Sequence, residues 1–186
     1  MIFELRQYTL HPGKRDTLIE LFEREFLEPQ EACGMHIPGQ FRDLDDPDRF
    51  VWFRGFPDMQ QRKEELTCFY GGPVWKANRD AANATMIDSD DVLLLRLVEG
   101  SSFPIGAALS RYYVTVYSFD GPVENVRIPA LTLLETETAE NDYPALPVRT
   151  GENVIVAITA ENGVAIPNAR VQQRLRLQPT PRSRLR

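Results

Sequence analysis

The chain has 186 residues, 42% of them hydrophobic, with 27 acidic and 21 basic side chains and a net charge of -6. That is enough carbon for one core or two small ones, and the acidic balance argues against a nucleic-acid protein, whose phosphate contacts need a concentrated positive face. No long apolar run is available to cross a bilayer and no basic start precedes an apolar stretch, so a soluble, cytoplasmic protein without membrane contact is expected.

Residues 2–10, "IFELRQYTL", alternate with period two and predict a strand with Phe3 and Leu5 on one face and Glu4, Arg6 and Tyr8 on the other. "HPGKRD" breaks it. Residues 14–28 then place Leu18, Ile19, Leu21, Phe22 and Phe26 on one helical arc, a helix that should stop near Pro29. Two strands follow, about 38–44 and 50–56, joined by the acidic turn "DDPD". Asp58 caps a second helix through Tyr70, the glycine pair at 71 and 72 ends it, Pro73 opens a third, and "DDVLLLRLVE" is a fourth strand. The order β-α-β-β-α-β is that of a ferredoxin-like α+β half, residues 1–98.

Residues 99–109 read as a linker. Strand-like runs then resume at "RYYVTVYSF", "LTLLETET", "NVIVAITA" and "VQQRLRLQ", with connections too short for two full helices, so 110–186 reads as a degenerate, mostly β second repeat. Its sheet is expected to close on the first inside one chain. Without helices above it, the outer face around Val114, Val116, Val156 and Ile158, or Tyr113, Thr115 and Ile155, calls for a homodimer or larger assembly. Residues 170–186 carry six arginines and no acid, which against the total of -6 leaves the rest of the chain at -12, so this tail should lie on acidic surface of the C-terminal half.

If Phe3 and Leu5 go under the helices, Glu4, Arg6 and Tyr8 point into the space between the two sheets. Arg42, Trp52 and Arg54 belong to the same interior. Arginine with an aromatic wall suits a planar or anionic small molecule, held by paired hydrogen bonds and stacking. The same residues could instead be a salt-bridge network that fixes register, or, in Glu4 and Tyr8, an acid-base pair. Asn78 on the third helix and Arg62 on the second are each open between a pocket and a structural role.

Other motifs lead nowhere. "GGPVWK" lacks the glycine spacing of a phosphate loop, and Cys33, His36 and Cys68 are too few and too mixed for a zinc site. Neither a metal nor a cofactor is called for, and the two cysteines are expected as reduced thiols.

Taken together, "FELRQYTLHPGK", "GQFRDLDDPDRFVWFRGFPDM", "FYGGPVWKANRDAANATM" and "DVLLLR" resemble the NIPSNAP family over the first hundred residues, and the second half resembles the degenerate repeat of its longer bacterial members. The resemblance implies a dimeric α+β barrel fold with a cavity, and no single reaction. The leading expectation is a small-molecule-binding barrel, one form of which is a cofactor-independent enzyme of accessory or secondary metabolism. A protein-interaction module using the C-terminal sheet is the alternative, and a haem-binding oxygenase the third.

Overall fold

The computed structural model describes residues 1–122, 126–163 and 165–186. Its strands are β1 (Ile2–Leu10), β2 (His36–Asp43), β3 (Arg49–Phe56), β4 (Met86–Leu97), β5 (Tyr112–Ser118), β6 (Thr132–Thr136), β7 (Val154–Thr159) and β8 (Arg170–Pro179). All neighbours are antiparallel, and the sheet closes in the order β1-β3-β2-β8-β5-β7-β6-β4. The first four strands lie as β4-β1-β3-β2 and the last four as β8-β5-β7-β6, so the same arrangement occurs twice. Two short seams join them: Phe41, Arg42 and Asp43 of β2 against Pro179, Gln178 and Leu177 of β8, and Leu95, Arg96 and Leu97 of β4 against Thr136, Glu135 and Leu134 of β6.

An eight-stranded barrel is just wide enough for its inward side chains to fill. Here the filling is carbon from both halves: Phe3, Leu5, Val51 and Phe53 meet Val114, Val116, Val156 and Ile158 in one cluster. Gly55 leaves the space that the Phe3 ring occupies, since a Cβ there would stand 2.4 Å from that ring. Phe103, from the segment between the halves, stacks at 4.9 Å on Phe3, and Leu185 of the tail reaches the same end of the barrel beside Phe41. Toward the other end Gln7 and Gln173 exchange amide hydrogen bonds of 2.8 Å, a polar pair that satisfies itself.

Phe3 and Leu5 therefore face the barrel interior, and the expectation that they lie under the helices is reversed. Among the described residues the second half has no helices, so the lumen is the one volume that both sheets border, and it takes the more apolar faces. The alternate face of the first half, with Tyr8, Phe50, Trp52 and Phe56, goes to the helices. Those helices are α1 (Arg15–Leu21), a π-helical turn at Phe22–Phe26, α2 (Leu27–Ala32), α3 (Met59–Gly71) and α4 (Pro73–Asn83). The first helix does not stop at Pro29. The π turn, in which the Leu27 amide reaches back to the Phe22 carbonyl, restarts the ladder so that Pro29 sits in the opening turn of α2, where its missing N–H costs little.

The outer face of the second sheet is not bare. Tyr117, Ile155 and Ala157 are buried beneath Phe119, Ile128 and Ile166 from the chain's own loops, while Val114, Val116, Val156 and Ile158 point inward. The Tyr117, Ile155 and Ala157 part of that face is thus covered within the chain, while Tyr113 and Thr115 line an open cleft with Arg174 and Arg176. The tail meets acid on both halves: Arg170 pairs with Asp120 of the second, whereas Arg176 pairs with Asp45, Arg182 with Glu28 and Arg184 with Glu31 at 2.7 Å on the first, and Arg170 to Pro179 form a barrel strand. Cys33 and Cys68 are joined in a disulfide that ties the end of α2 to α3. The reading of free thiols is overturned, and a cysteine count alone no longer points to a reducing compartment. Among the described residues no helix is long and apolar enough to cross a membrane.

Leu185 closes the barrel by packing and Arg184 decorates it by charge. Leu185→Ala is expected to lower stability by about 2–4 kcal/mol and Arg184→Ala by less than about 1 kcal/mol in urea unfolding. Equal effects would show that the tail is held by its ion pairs instead.

Candidate functional site

Glu4 lies mid-strand on β1 with its side chain toward the helices, fully buried. β1 sits between β3 and β4, and register sets Arg54 of β3 directly across from it. Arg6, two residues along the strand, shares its face. α3 completes the group: Asp58 accepts from the Gln61 amide at 2.8 Å to cap the helix, and the stripe Arg62, Glu65, Leu66 and Phe69 turns inward.

Three guanidinium groups meet on the one carboxylate. Oε2 accepts from Arg6 Nη1 at 2.8 Å and from Arg54 Nη2 and Nε at 2.6 and 3.1 Å, and Oε1 accepts from Arg62 Nε at 2.8 Å. Arg6, Arg54 and Arg62 are each buried as deeply as Glu4. Burial by itself pushes the Glu4 carboxyl up, but Arg54, Arg6 and Arg62 together hold it far below the usual carboxylate range. Burial likewise works against the charges of Arg6 and Arg54; Tyr8 and Glu4 around the first, and Glu4 and Tyr70 around the second, outweigh it. Four N–H donors on two oxygens leave Glu4 little capacity to take a proton from anything else.

The remaining edges of Arg6 and Arg54 find neutral oxygens. Arg6 Nε donates to Tyr8 Oη at 3.1 Å and Arg54 Nη1 to Tyr70 Oη at 3.2 Å and Gln30 Oε1 at 3.3 Å. Flat rings wall the charges: Arg54 lies 5.1 Å from the Trp52 ring centroid and Arg6 5.5 Å from that of Tyr8. Because an arginine can only donate, both phenol protons are free to point elsewhere. Burial outweighs the opposing pull of Arg6 and keeps the Tyr8 hydroxyl above its ordinary range, so it stays a neutral donor. Above these groups lies a cleft between sheet and helices, lined by Tyr8, Gln30, Trp52, Tyr70, Trp75 and Met86 among others. Its cavity volume is about 40 Å³, room for a water, and the half-buried Tyr70, Trp75 and Met86 are among its lining residues. Trp52 Nε1 is buried at its wall with no acceptor among the described residues.

Of the residues that the sequence singles out, Glu4, Arg6, Tyr8, Trp52 and Arg54 come together, but on the helix side of the sheet and not in the barrel. Arg42 does not join them: it faces the rim of β2 and pairs with Asp16 of α1 at 2.9 Å, partly in water. Asn78 bonds the Val74 carbonyl of its own helix at 3.0 Å, the ordinary structural role. Arg62 was undecided on sequence and belongs at the centre. The signal for it was its place one and two turns before Leu66 and Phe69, a charge in the buried stripe of a capped helix. Gln30 and Tyr70 gave no such signal.

A single chain closing a ferredoxin-like half and a second half of the same strand order into one barrel, with a cleft under the helices of the first, defines the class. The NIPSNAP family model matches residues 3–102, and the chain belongs to that family. Solved structures agree on the fold. A NIPSNAP-like domain protein from Burkholderia xenovorans is 22% identical over 54% of this chain and 88% of its own, with a TM-score of 0.50. A NIPSNAP family protein from Agrobacterium tumefaciens is 20% identical over the same shares, also at 0.50. A candidate monooxygenase from Lactobacillus acidophilus is only 10% identical but aligns with 96% of this chain and 93% of its own, at 0.56. No curated protein matches the chain.

Removing the carboxylate should cost far more than any surface pair. Glu4→Gln leaves three buried guanidiniums facing one another and is expected to destabilise by about 3–5 kcal/mol. The carboxyl is depressed in the folded state, so its contribution is complete above the ordinary value of 4.5 and is lost as pH falls below it. Chemical denaturation between pH 7 and 3 should show wild-type stability dropping below about 4.5 more steeply than that of Glu4→Gln. Parallel curves would mean that Glu4 is not held by the arginines.

Proposed function

We propose that this NIPSNAP-family barrel binds a small planar anion, of the aromatic carboxylate type, in the cleft between the first half's sheet and its helices. The observation that carries the reading is the charge count of a buried cluster: three guanidiniums against Glu4, with the rim carboxylate of Asp142 on Arg62 as the one other acid in contact among the described residues. One positive charge is left over where water does not reach. Buried charge is tolerated when it is paired, so an excess of this kind favours an anionic visitor. The aromatic walls and the donors at Tyr8, Tyr70 and Trp52 set its shape as flat and its polar edge as an acceptor.

An arginine network serving register alone would need no donors aimed at a cleft and no indole N–H left without an acceptor. Any enzymatic form of this proposal rests on Tyr8 and not on Glu4, since the carboxylate is already saturated.

Thermal-shift titration with a panel of aromatic carboxylates provides the test, with 1-naphthoate as reference probe. Wild type should gain several degrees at saturation. Tyr70→Phe, which keeps the ring and removes one donor, should bind about tenfold more weakly, and Arg42→Ala should bind like wild type. A panel in which no carboxylate stabilises the protein, or in which Arg42→Ala and Tyr70→Phe behave alike, would overturn the proposal.

A further inference from the structure

The connection between β6 and β7, residues 137–153, crosses from the second half onto the helices of the first. Its feet are pinned to β4: the Glu137 amide donates to the Leu94 carbonyl at 2.9 Å and the Arg149 amide to the Val92 carbonyl at 2.8 Å. Between the feet the loop is folded on itself. Asn141 Nδ2 donates to the Leu146 carbonyl at 2.9 Å, and the Leu146 amide to the Tyr143 carbonyl at 3.0 Å. This tip touches the site through a handful of groups. Arg62 Nη1 donates to Asn141 Oδ1 at 3.0 Å and to Asp142 Oδ1 at 3.2 Å, and the Tyr143 ring lies 6.3 Å from that of Tyr70. Near its base the loop stands off β4, leaving a cleft of about 330 Å³ between Leu93 and Leu94 and the two feet.

Two features distinguish Asp142 from Glu4. Glu4 is wholly buried and accepts from all three arginines, whereas Asp142 is 30% exposed and accepts from Arg62 alone. It is also borne by a loop outside the barrel, whose feet are held by β4 and whose tip meets the first half through Asn141, Asp142, Tyr143 and Leu146. A carboxylate that arrives on a separate hinged segment, meets a buried guanidinium and keeps one side in water has the position and chemistry of a ligand's own carboxylate.

Resting on the ligand reading above, we infer that Asp142 is an internal stand-in for the ligand's carboxylate, and that a bound aromatic carboxylate displaces it from Arg62 as the 141–146 tip lifts. The second half thus supplies a specificity residue to the first half's site: Asp142 holds Arg62 when no anion is present and competes with the ligand's carboxylate for it.

The test compares wild type and Asp142→Asn with 1-naphthoate and with neutral 1-naphthamide, read by the fluorescence of Trp52 and Trp75, which line the cleft. Asp142→Asn keeps the shape and is checked for an unchanged melting temperature to within a few degrees. It should bind 1-naphthoate about tenfold more tightly than wild type and 1-naphthamide equally, because only the charged competitor has been removed. In wild type, saturating 1-naphthoate should also raise amide hydrogen exchange at Tyr143 and Leu146. Equal or weaker binding of 1-naphthoate by Asp142→Asn overturns the strap while leaving the ligand reading in place. Absence of binding by both proteins overturns the ligand reading and the strap with it.

Discussion

One carboxylate with three guanidiniums on it fixes where the other parts of this protein can go. Taking four such groups out of water is costly, and the cost is recovered only if every donor and acceptor finds a partner in correct geometry. Glu4 comes from β1, Arg54 from β3 and Arg62 from α3, so strand register and helix placement must be right together before the charges can close on one another. Each element that carries a member is also pinned locally, by ladder pairing at Glu4 and Arg54 and by the Asp58 cap ahead of Arg62. The aromatic groups around the cluster follow from it. Trp52, Tyr8 and Tyr70 present ring faces or hydroxyl oxygens to cations that cannot be hydrated.

The doubled strand order makes the difference between the halves informative. The first half keeps its helices and buries both faces of its sheet; the second has loops in their place. That asymmetry decides which volume is filled and which is left accessible. The lumen borders both sheets and becomes the carbon core, closed at one end by Phe103 and Leu185. A buried polar interior, built on Glu4, Arg6, Arg54 and Arg62, lies between the first sheet and its own helices. The 137–153 loop brings the second half back to that site, through the Asp142 carboxylate on Arg62.

Much of this was legible in the sequence, and the failures have a common cause. Period-two alternation in "IFELRQYTL" separated Phe3 and Leu5 from Glu4, Arg6 and Tyr8 correctly, and the turn and cap signals at "DDPD", Asp58 and Pro73 located the hairpin and both later helices within a few residues. Alternation cannot say which of two buried faces meets which layer, and in a barrel with helices outside it neither face is in water. The polar face was therefore assigned to the lumen on the usual rule that helices take the carbon. Arg42 obeys the same alternation as Arg54 but stands nearer the turn, where α1 offers Asp16 and solvent instead of Glu4. Long-range partners were illegible for a simpler reason. Nothing in the spacing of Cys33 and Cys68, or of Arg62 and Asp142, states that they meet.

Side-chain NMR of arginine labelled with ¹⁵N and ¹³C addresses the cluster itself. Three guanidinium Nε–H signals, those of Arg6, Arg54 and Arg62, should exchange slowly with water in the free protein. Addition of 1-naphthoate should shift at least two of the three, while the signal of Arg42 and those of the tail arginines stay in place and 1-naphthamide moves none. Slow exchange with no response to any anion would make the cluster a brace for the fold alone, and shifts confined to surface arginines would contradict a site beneath the helices.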